Sequence, residues 1–311
     1  MKAKALPAEI LAKVKRLKIV AGRRVDESLA GQFRSVFRGS GIEFDEIREY
    51  GPGDDVRSID WNVTARVGKP FVKRYVEERE RRLVLVVDLS GSQRFGTQVT
   101  LKAELAAEVA ALLAAAALRT NDKVGLVAFT DSIERFVPAR KGERHAIRVI
   151  RDVLGYEPRS SGTNLSGTLD EVCRTVRRGA ILVVISDFVA DGFEESLRRA
   201  SRLHDLIAVR VNDRREEELP PVGLVRMVDL ESGREIEIDA SDSRTREAWA
   251  ERAAARRATL ETQMRRAGAD YVEVRTGEDY VEPLRRLFAR RRMRKLKPQA
   301  KSPGAPGGKK R

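Results

Sequence analysis

Two residue types that usually carry chemistry are scarce in this chain, which has one cysteine and two histidines in 311 residues. A lone Cys173 excludes an intramolecular disulfide, and its place in a helical stretch predicts a buried, inert thiol. With only His145 and His204 to draw on, both expected on surface helices, and no glycine-rich phosphate loop, no nucleophile–base pair or nucleotide cradle can be assembled from recognisable motifs. Long apolar runs are missing too. The longest uncharged one, Val109 to Leu118, is mostly alanine and far short of the ~20 residues that a bilayer crossing needs. Lys2, Lys4, Lys13, Lys15, Arg16 and Lys18 break up the first twenty residues, so no secretory signal is expected and a cytoplasmic protein fits best.

Acidic residues are absent from one region in particular. From Pro283 to Arg311 there are twelve Lys or Arg and no Asp or Glu, so this tail carries +12 of the net +14 and residues 1–282 are nearly neutral. Such a tail is a candidate for salt-sensitive contact with nucleic acid or acidic lipid. Few aromatics interleave it, however, and a solvated, nonspecific tail is the simpler reading. Pro298, Pro303, Gly304, Pro306 and Gly307 predict disorder there.

What is present centres on residues 83–92, Leu-Val-Leu-Val-Val-Asp-Leu-Ser-Gly-Ser. The Val-rich apolar run predicts a strand buried on both faces, as in a parallel sheet under helices. Asp88, Ser90 and Ser92 follow it at alternate positions, where open α/β sheets bind ligands, and Gly91 allows the backbone to curl between the serines. One carboxylate and two hydroxyls can fill part of the octahedral shell of a hard cation such as Mg²⁺. Two of the three being neutral, the ion would keep enough charge to attract a carboxylate or phosphate from outside. The plainer alternative is a capped strand-to-helix turn with solvated hydroxyls. Further on, Ser161-Gly162-Thr163-Asn164-Leu165 places a hydroxyl in a glycine loop before a helix, and a second apolar strand, Ala180 to Ser186, ends at Asp187.

The order D-x-S-x-S, loop threonine, distal aspartate resembles the metal-ion-dependent adhesion site of von Willebrand factor type A domains, over roughly residues 81–283. The resemblance implies Asp88, Ser90, Ser92 and Thr163 as metal ligands, Asp187 as an aspartate acting through water, and Mg²⁺ as the ion, though other divalent cations would serve.

Upstream, Ile10, Leu11, Val14 and Leu17 predict a docking helix over 8–18, and residues 20–41 read as loop with at most a short helix. Residues 48–66 are denser in information. Gly51-Pro52-Gly53 marks a turn, Asp60 can cap a short helix from Trp61, and Phe71 to Val76 reads as a strand. Arg48, Arg57 and Arg66 beside Asp54, Asp55 and Asp60 suggest bidentate ion pairs. The segment including Tyr50 and Trp61 is then either a structural clamp or a partner-docking surface, with a catalytic carboxylate pair as a remoter option. The pattern R-x-Y-x-x-G-D-D-x-R-x-I-D-W-x-x-T-A-R is similar to the conserved region of domain-of-unknown-function family 58, in which it precedes a type A domain. That likeness implies a MoxR-type AAA+ ATPase and a client as partners.

The remaining pattern predicts helices over 98–118, 145–154, 164–176, 192–203, 243–267 and 279–293. Strands are expected over 123–129, 133–137, 206–211 and 271–274, the second antiparallel because only three residues precede it. A hairpin flanks Glu231-Ser232-Gly233. The expected fold is α/β, doubly wound and Rossmann-like, a mostly parallel sheet with one short antiparallel strand. Residues 1–80 form an N-terminal region, 81–283 the type A-like domain with a hairpin insertion at 222–240, and 284–311 a basic helix end and tail. The expected function is a non-enzymatic, metal-dependent interaction module, an adaptor or co-chaperone. The alternatives are a Mg²⁺-dependent phosphoester hydrolase, or binding of nucleic acid or acidic lipid through the tail.

Overall fold

The computed structural model describes residues 16, 20–25, 27–36, 42–77, 81–97, 100–228, 230–231 and 233–296. The helix expected over 8–18, apart from Arg16, and the tail beyond 296 lie outside them. Strands β3 (Arg82–Asp88), β4 (Lys123–Phe129), β5 (Ile133–Arg140), β6 (Ile181–Ser186), β7 (Asp205–Asn212) and β10 (Asp270–Arg275) form the main sheet in the order β10-β7-β6-β3-β4-β5. All neighbours are parallel except β4 and β5. The fold is doubly wound α/β with one reversed edge strand, of the von Willebrand factor type A-like kind.

Why β3 lies at the centre follows from its side chains. Leu83, Leu85 and Val87 enter the core on one face while Val84 and Val86 enter the core on the other, and all five are buried. Apolar residues on both faces suit a strand covered by helices on either side, and β3 pairs with β4 on one edge and β6 on the other. Over the first face lies α3 (Lys102–Arg119), where Ala106, Ala107, Ala110, Ala111, Ala114 and Ala117 are buried, so the helix axis can approach the sheet closely. Beside it pack α4 (Glu143–Gly155) and α9 (Val281–Leu296). The second face is covered by α5 (Leu165–Thr175), α6 (Glu194–Leu203) and α8 (Ser243–Ala267).

Residues 20–25 and 27–36 are more helical than the expected loop with at most a short helix. Residues 20–24 are helical and Glu27–Val36 forms α1, which brings Val25, Leu29 and Phe33 into the first-face core; the Phe33 and Phe288 rings meet edge-on at 5.8 Å. The four-residue spacing of these three side chains is a helical signal, but Gly22, Gly31 and the interspersed arginines dilute it. Strands β1 (Ile42–Glu49) and β2 (Phe71–Glu77) form a separate antiparallel pair, with α2 (Trp61–Val67) between them in sequence. The inserted hairpin is β8 (Leu224–Val228) with β9 (Glu235–Asp239), preceded by the single-turn α7 (Arg214–Glu217). Among the described residues no helix is long and apolar enough to cross a membrane.

Candidate functional site

Asp88 ends β3, and the chain passes directly into a 3-10 turn over Gly91–Arg94. Asp88 is fully buried. One carboxylate oxygen accepts the Ser90 N–H at 2.9 Å, the other the Ser186 hydroxyl at 2.6 Å from the neighbouring strand β6. Ser90 and Ser92 share a hydroxyl–hydroxyl bond of 3.1 Å. In an octahedral shell with bonds of ~2.0–2.1 Å, adjacent ligand oxygens stand ~2.9 Å apart, so this pair has the spacing of two neighbouring corners.

Gly91 does not take a left-handed conformation here; its value is the missing side chain. A Cβ would collide with the carbonyl oxygen of Leu230, and its N–H donates to the Ser161 carbonyl at 2.7 Å. Two distant loops therefore meet on the serine turn. Thr163, two residues past Ser161, donates its hydroxyl to Glu231 at 2.7 Å.

Asp187 follows β6 and is also buried. The next residue, Phe188, has φ 58°, a left-handed value that is strained for an aromatic side chain. Its N–H donates to the Ser186 hydroxyl and its ring packs against Phe193 at 6.1 Å, which holds the sharp bend in place. Both Asp187 oxygens are engaged: one accepts Val189 N–H at 3.2 Å, the other the ammonium of Lys102 at 2.8 Å. Lys102 is wholly buried and also reaches Glu216 at 2.6 Å.

The electrostatics divide the two aspartates. Burial, then the like charge of Asp187, pushes Asp88 up to about 6 despite its hydrogen bonds. Burial acts on Asp187 in the same direction, but Lys102 outweighs it and holds this carboxyl below its ordinary value. Lys102 is itself raised, since the two carboxylates overcome the cost of burying it.

Asp88, Ser90 and Ser92 thus converge. Asp187 joins them through the Ser92 hydroxyl and its repulsion of Asp88, while Thr163 is brought in by the loop that bonds Gly91. Among the described residues no three His, Cys, Asp or Glu converge to hold a metal ion, so any ion here would depend on the hydroxyls. A cavity of about 560 Å³ opens beside Ser92 and Asp187, walled by Phe95, Val189, Met227, Leu230 and Trp249. Its polar side carries Asp187, Asp191 and Glu216 beside Arg210 and Arg256.

The second group of expected residues gathers on the β1–β2 arm. Arg48 grips Asp54 through two bonds of 2.9 and 2.6 Å, and the Tyr50 hydroxyl donates to the Asp54 carbonyl at 3.2 Å. Asp55 and Asp60 accept backbone N–H groups, from Arg57 and from Asn62 and Val63, because each begins a helical turn with free donors. Arg57 and Arg66 are exposed, with no ion pair among the described residues, and Trp61 is 66% exposed. Of the two histidines expected on surface helices, His145 does lie on α4, half-buried with Nε2 3.0 Å from the Val124 carbonyl, whereas His204 is buried just past α6. Both sit near the amino ends of the strands, opposite the serine turn. Cys173 is half-buried rather than buried, and burial, then Asp170, raises its thiol above the ordinary value.

The family model described as "Protein of unknown function DUF58" matches residues 46–259, which takes in the Arg48–Arg66 segment, the serine turn, the hairpin and most of α8. The chain belongs to the DUF58 family. Relatives of this DUF58 protein include the uncharacterized proteins Rv1480 of Mycobacterium tuberculosis and Mb1516 of Mycobacterium bovis. Each is 34% identical over 289 residues, covering 91% of this chain and 90% of the relative. Among solved structures, BatB from Bacteroides thetaiotaomicron overlays 68% of this chain and 98% of its own at a TM-score of 0.47 and 16% identity. The SpRpn10 VWA domain overlays 66% and 93% at 0.38 and 9%. The assignment of the fold stands on the strand order and the reversed β5.

Sequence reasoning missed Lys102, Ser186, Glu216 and Glu231. Lys102 reads as an ordinary charged residue at a helix start. Only the fold shows that it points inward.

Proposed function

We propose that this DUF58 protein is a non-enzymatic, divalent-metal-dependent protein-interaction module. The observation that carries the reading is the Asp88–Ser90–Ser92 turn at the carboxyl end of the central strand, opening beside Asp187 into an apolar-walled cavity. Asp88, Ser90, Ser92 and Thr163 would hold Mg²⁺ or a similar hard cation, with Asp187 behind them. When bound, the ion supplies a positive charge that attracts a carboxylate from a partner. The chain's own residues do the rest: Ser186 and the Ser90 N–H orient Asp88, Lys102 balances Asp187, and the cavity wall selects the apolar flank of the incoming segment. A binding rather than hydrolytic role is favoured because both histidines, the usual bases near neutral pH, are placed at the other end of the sheet.

A MoxR-type AAA+ ATPase and its client are the partner class implied by the likeness to this family, with the protein acting as adaptor or co-chaperone. Affinity capture from host lysate, with Mg²⁺ or with chelator, using wild type and Asp88→Ala side by side, tests both points. Recovery of an AAA+ ATPase or its client by wild type with metal alone is the expected result. Equal recovery in every condition would remove the metal bridge and move the binding surface toward Arg48–Arg66.

A further inference from the structure

The hairpin that interrupts the fold before α8 turns directly over the serine loop. Its Leu230 carbonyl abuts Gly91 so closely that no side chain fits between them, and the Glu231 carbonyl receives the Ser161 hydroxyl at 3.3 Å. The Glu231 carboxylate then meets the Thr163 hydroxyl at 2.7 Å. Core burial does little to hold the hairpin there, for Leu224 is 77% exposed and Val228 and Ile236 are each 46% exposed. Much of what fixes the turn is polar contact with the two loops of the site.

The ligand set gives a reason for that contact. Lys102 is shared between Asp187 and Glu216, and Asp88 has no ion pair among the described residues. A divalent ion held by Asp88 and three hydroxyls would meet a single carboxylate among its direct ligands. A second one, Glu231, stands on one of those hydroxyls, Thr163.

We propose that Glu231 is a protein-supplied carboxylate of this same metal site, and that the β8–β9 hairpin occupies the position a partner's carboxylate takes. The proposal rests on the metal-dependent reading above. Because Glu231 is tethered, it strengthens retention of the ion and at the same time competes with outside carboxylates. A partner must displace the hairpin turn, and the cavity walled by Met227 and Leu230 of that hairpin changes shape as it does so.

The test uses the full chain and Mn²⁺ alone, with the free ion followed by electron paramagnetic resonance. Wild type, Glu231→Ala, Glu231→Gln and Asp88→Ala are titrated, and acrylamide quenching of Trp249 is read in a Trp61→Phe background to follow the hairpin. The expected result is Mn²⁺ affinity at least tenfold weaker in both Glu231 variants, with the metal-induced shielding of Trp249 seen in wild type lost. Affinity within twofold of wild type in both variants, alongside loss in Asp88→Ala, overturns the assignment of Glu231 and leaves the metal site standing. No Mn²⁺ binding by wild type removes the metal-dependent reading, and this proposal falls with it.

Discussion

Asp88 and Asp60 are both buried aspartates that accept backbone N–H groups, yet they sit in different physical settings. Asp60, 8% exposed, caps α2 on the β1–β2 arm, where its neighbours Trp61 and Val67 are exposed. Asp88 is fully enclosed and faces a second buried carboxylate, so the same side chain is pushed up to about 6. The difference teaches where the cost lies. A cap on an exposed arm contributes modestly whatever surrounds it, whereas a polar cluster at a buried sheet end stands or falls with all of its members.

The contrast breaks most sharply at Lys102. Replacing it by methionine leaves Asp187 and Glu216 without their shared cation, and stability should fall by ~3–5 kcal/mol in urea unfolding. Adding Asp187→Asn should recover much of the loss, since the uncompensated charge is then gone. A decrease below ~1 kcal/mol would mean that the pair is far more hydrated than its burial implies.

Asp213, a buried carboxylate away from the serine turn, sharpens the comparison. It accepts the Thr97 N–H and hydroxyl, the Thr276 hydroxyl and the Arg215 N–H, so Asp213→Ala should cost ~2–3 kcal/mol. Burial would raise this carboxyl, but those four bonds hold it below the ordinary 3.8. Its contribution is therefore complete above the unfolded value and is lost as pH falls through the lower folded one. Stability measured from pH 7 downward should show a shallower acid limb in Asp213→Ala than in wild type; identical limbs would contradict the assignment.

On the exposed arm the effects should be smallest. Asp60→Ala removes a helix cap and should cost ~1 kcal/mol. Trp61→Ala should change stability by no more than ~0.5 kcal/mol, because so little of the ring is packed. If Trp61→Ala nevertheless weakens partner capture while Asp60→Ala does so only in proportion to lost folding, the arm is a docking surface and not merely a clamp.

Much of this could be read in advance, and the particulars show why. The 243–267 helix, the Asp60 cap and the reversed β5 are encoded by spacing within a few residues, so local rules suffice. Helix α1 was obscured because its apolar positions are few, and only the sheet and α9 give them something to pack on. His204 was misplaced because a helix-end residue faces solvent or core according to what lies beyond it, here the entry into β7.

For the site, the sequence alone determined that Asp88, Ser90 and Ser92 would share one turn, since a strand followed by alternate residues admits few other outcomes. It equally placed hydroxyl and carboxylate candidates at Thr163 and Asp187. Only the tertiary structure decided that Ser186 orients Asp88, that Lys102 balances Asp187 across 85 residues, and that Glu231 reaches Thr163 across 68. Spacing along the chain fixes which groups emerge at the end of one strand. Which charges then face each other depends on strand order and on where an inserted hairpin folds back, and neither is a local property.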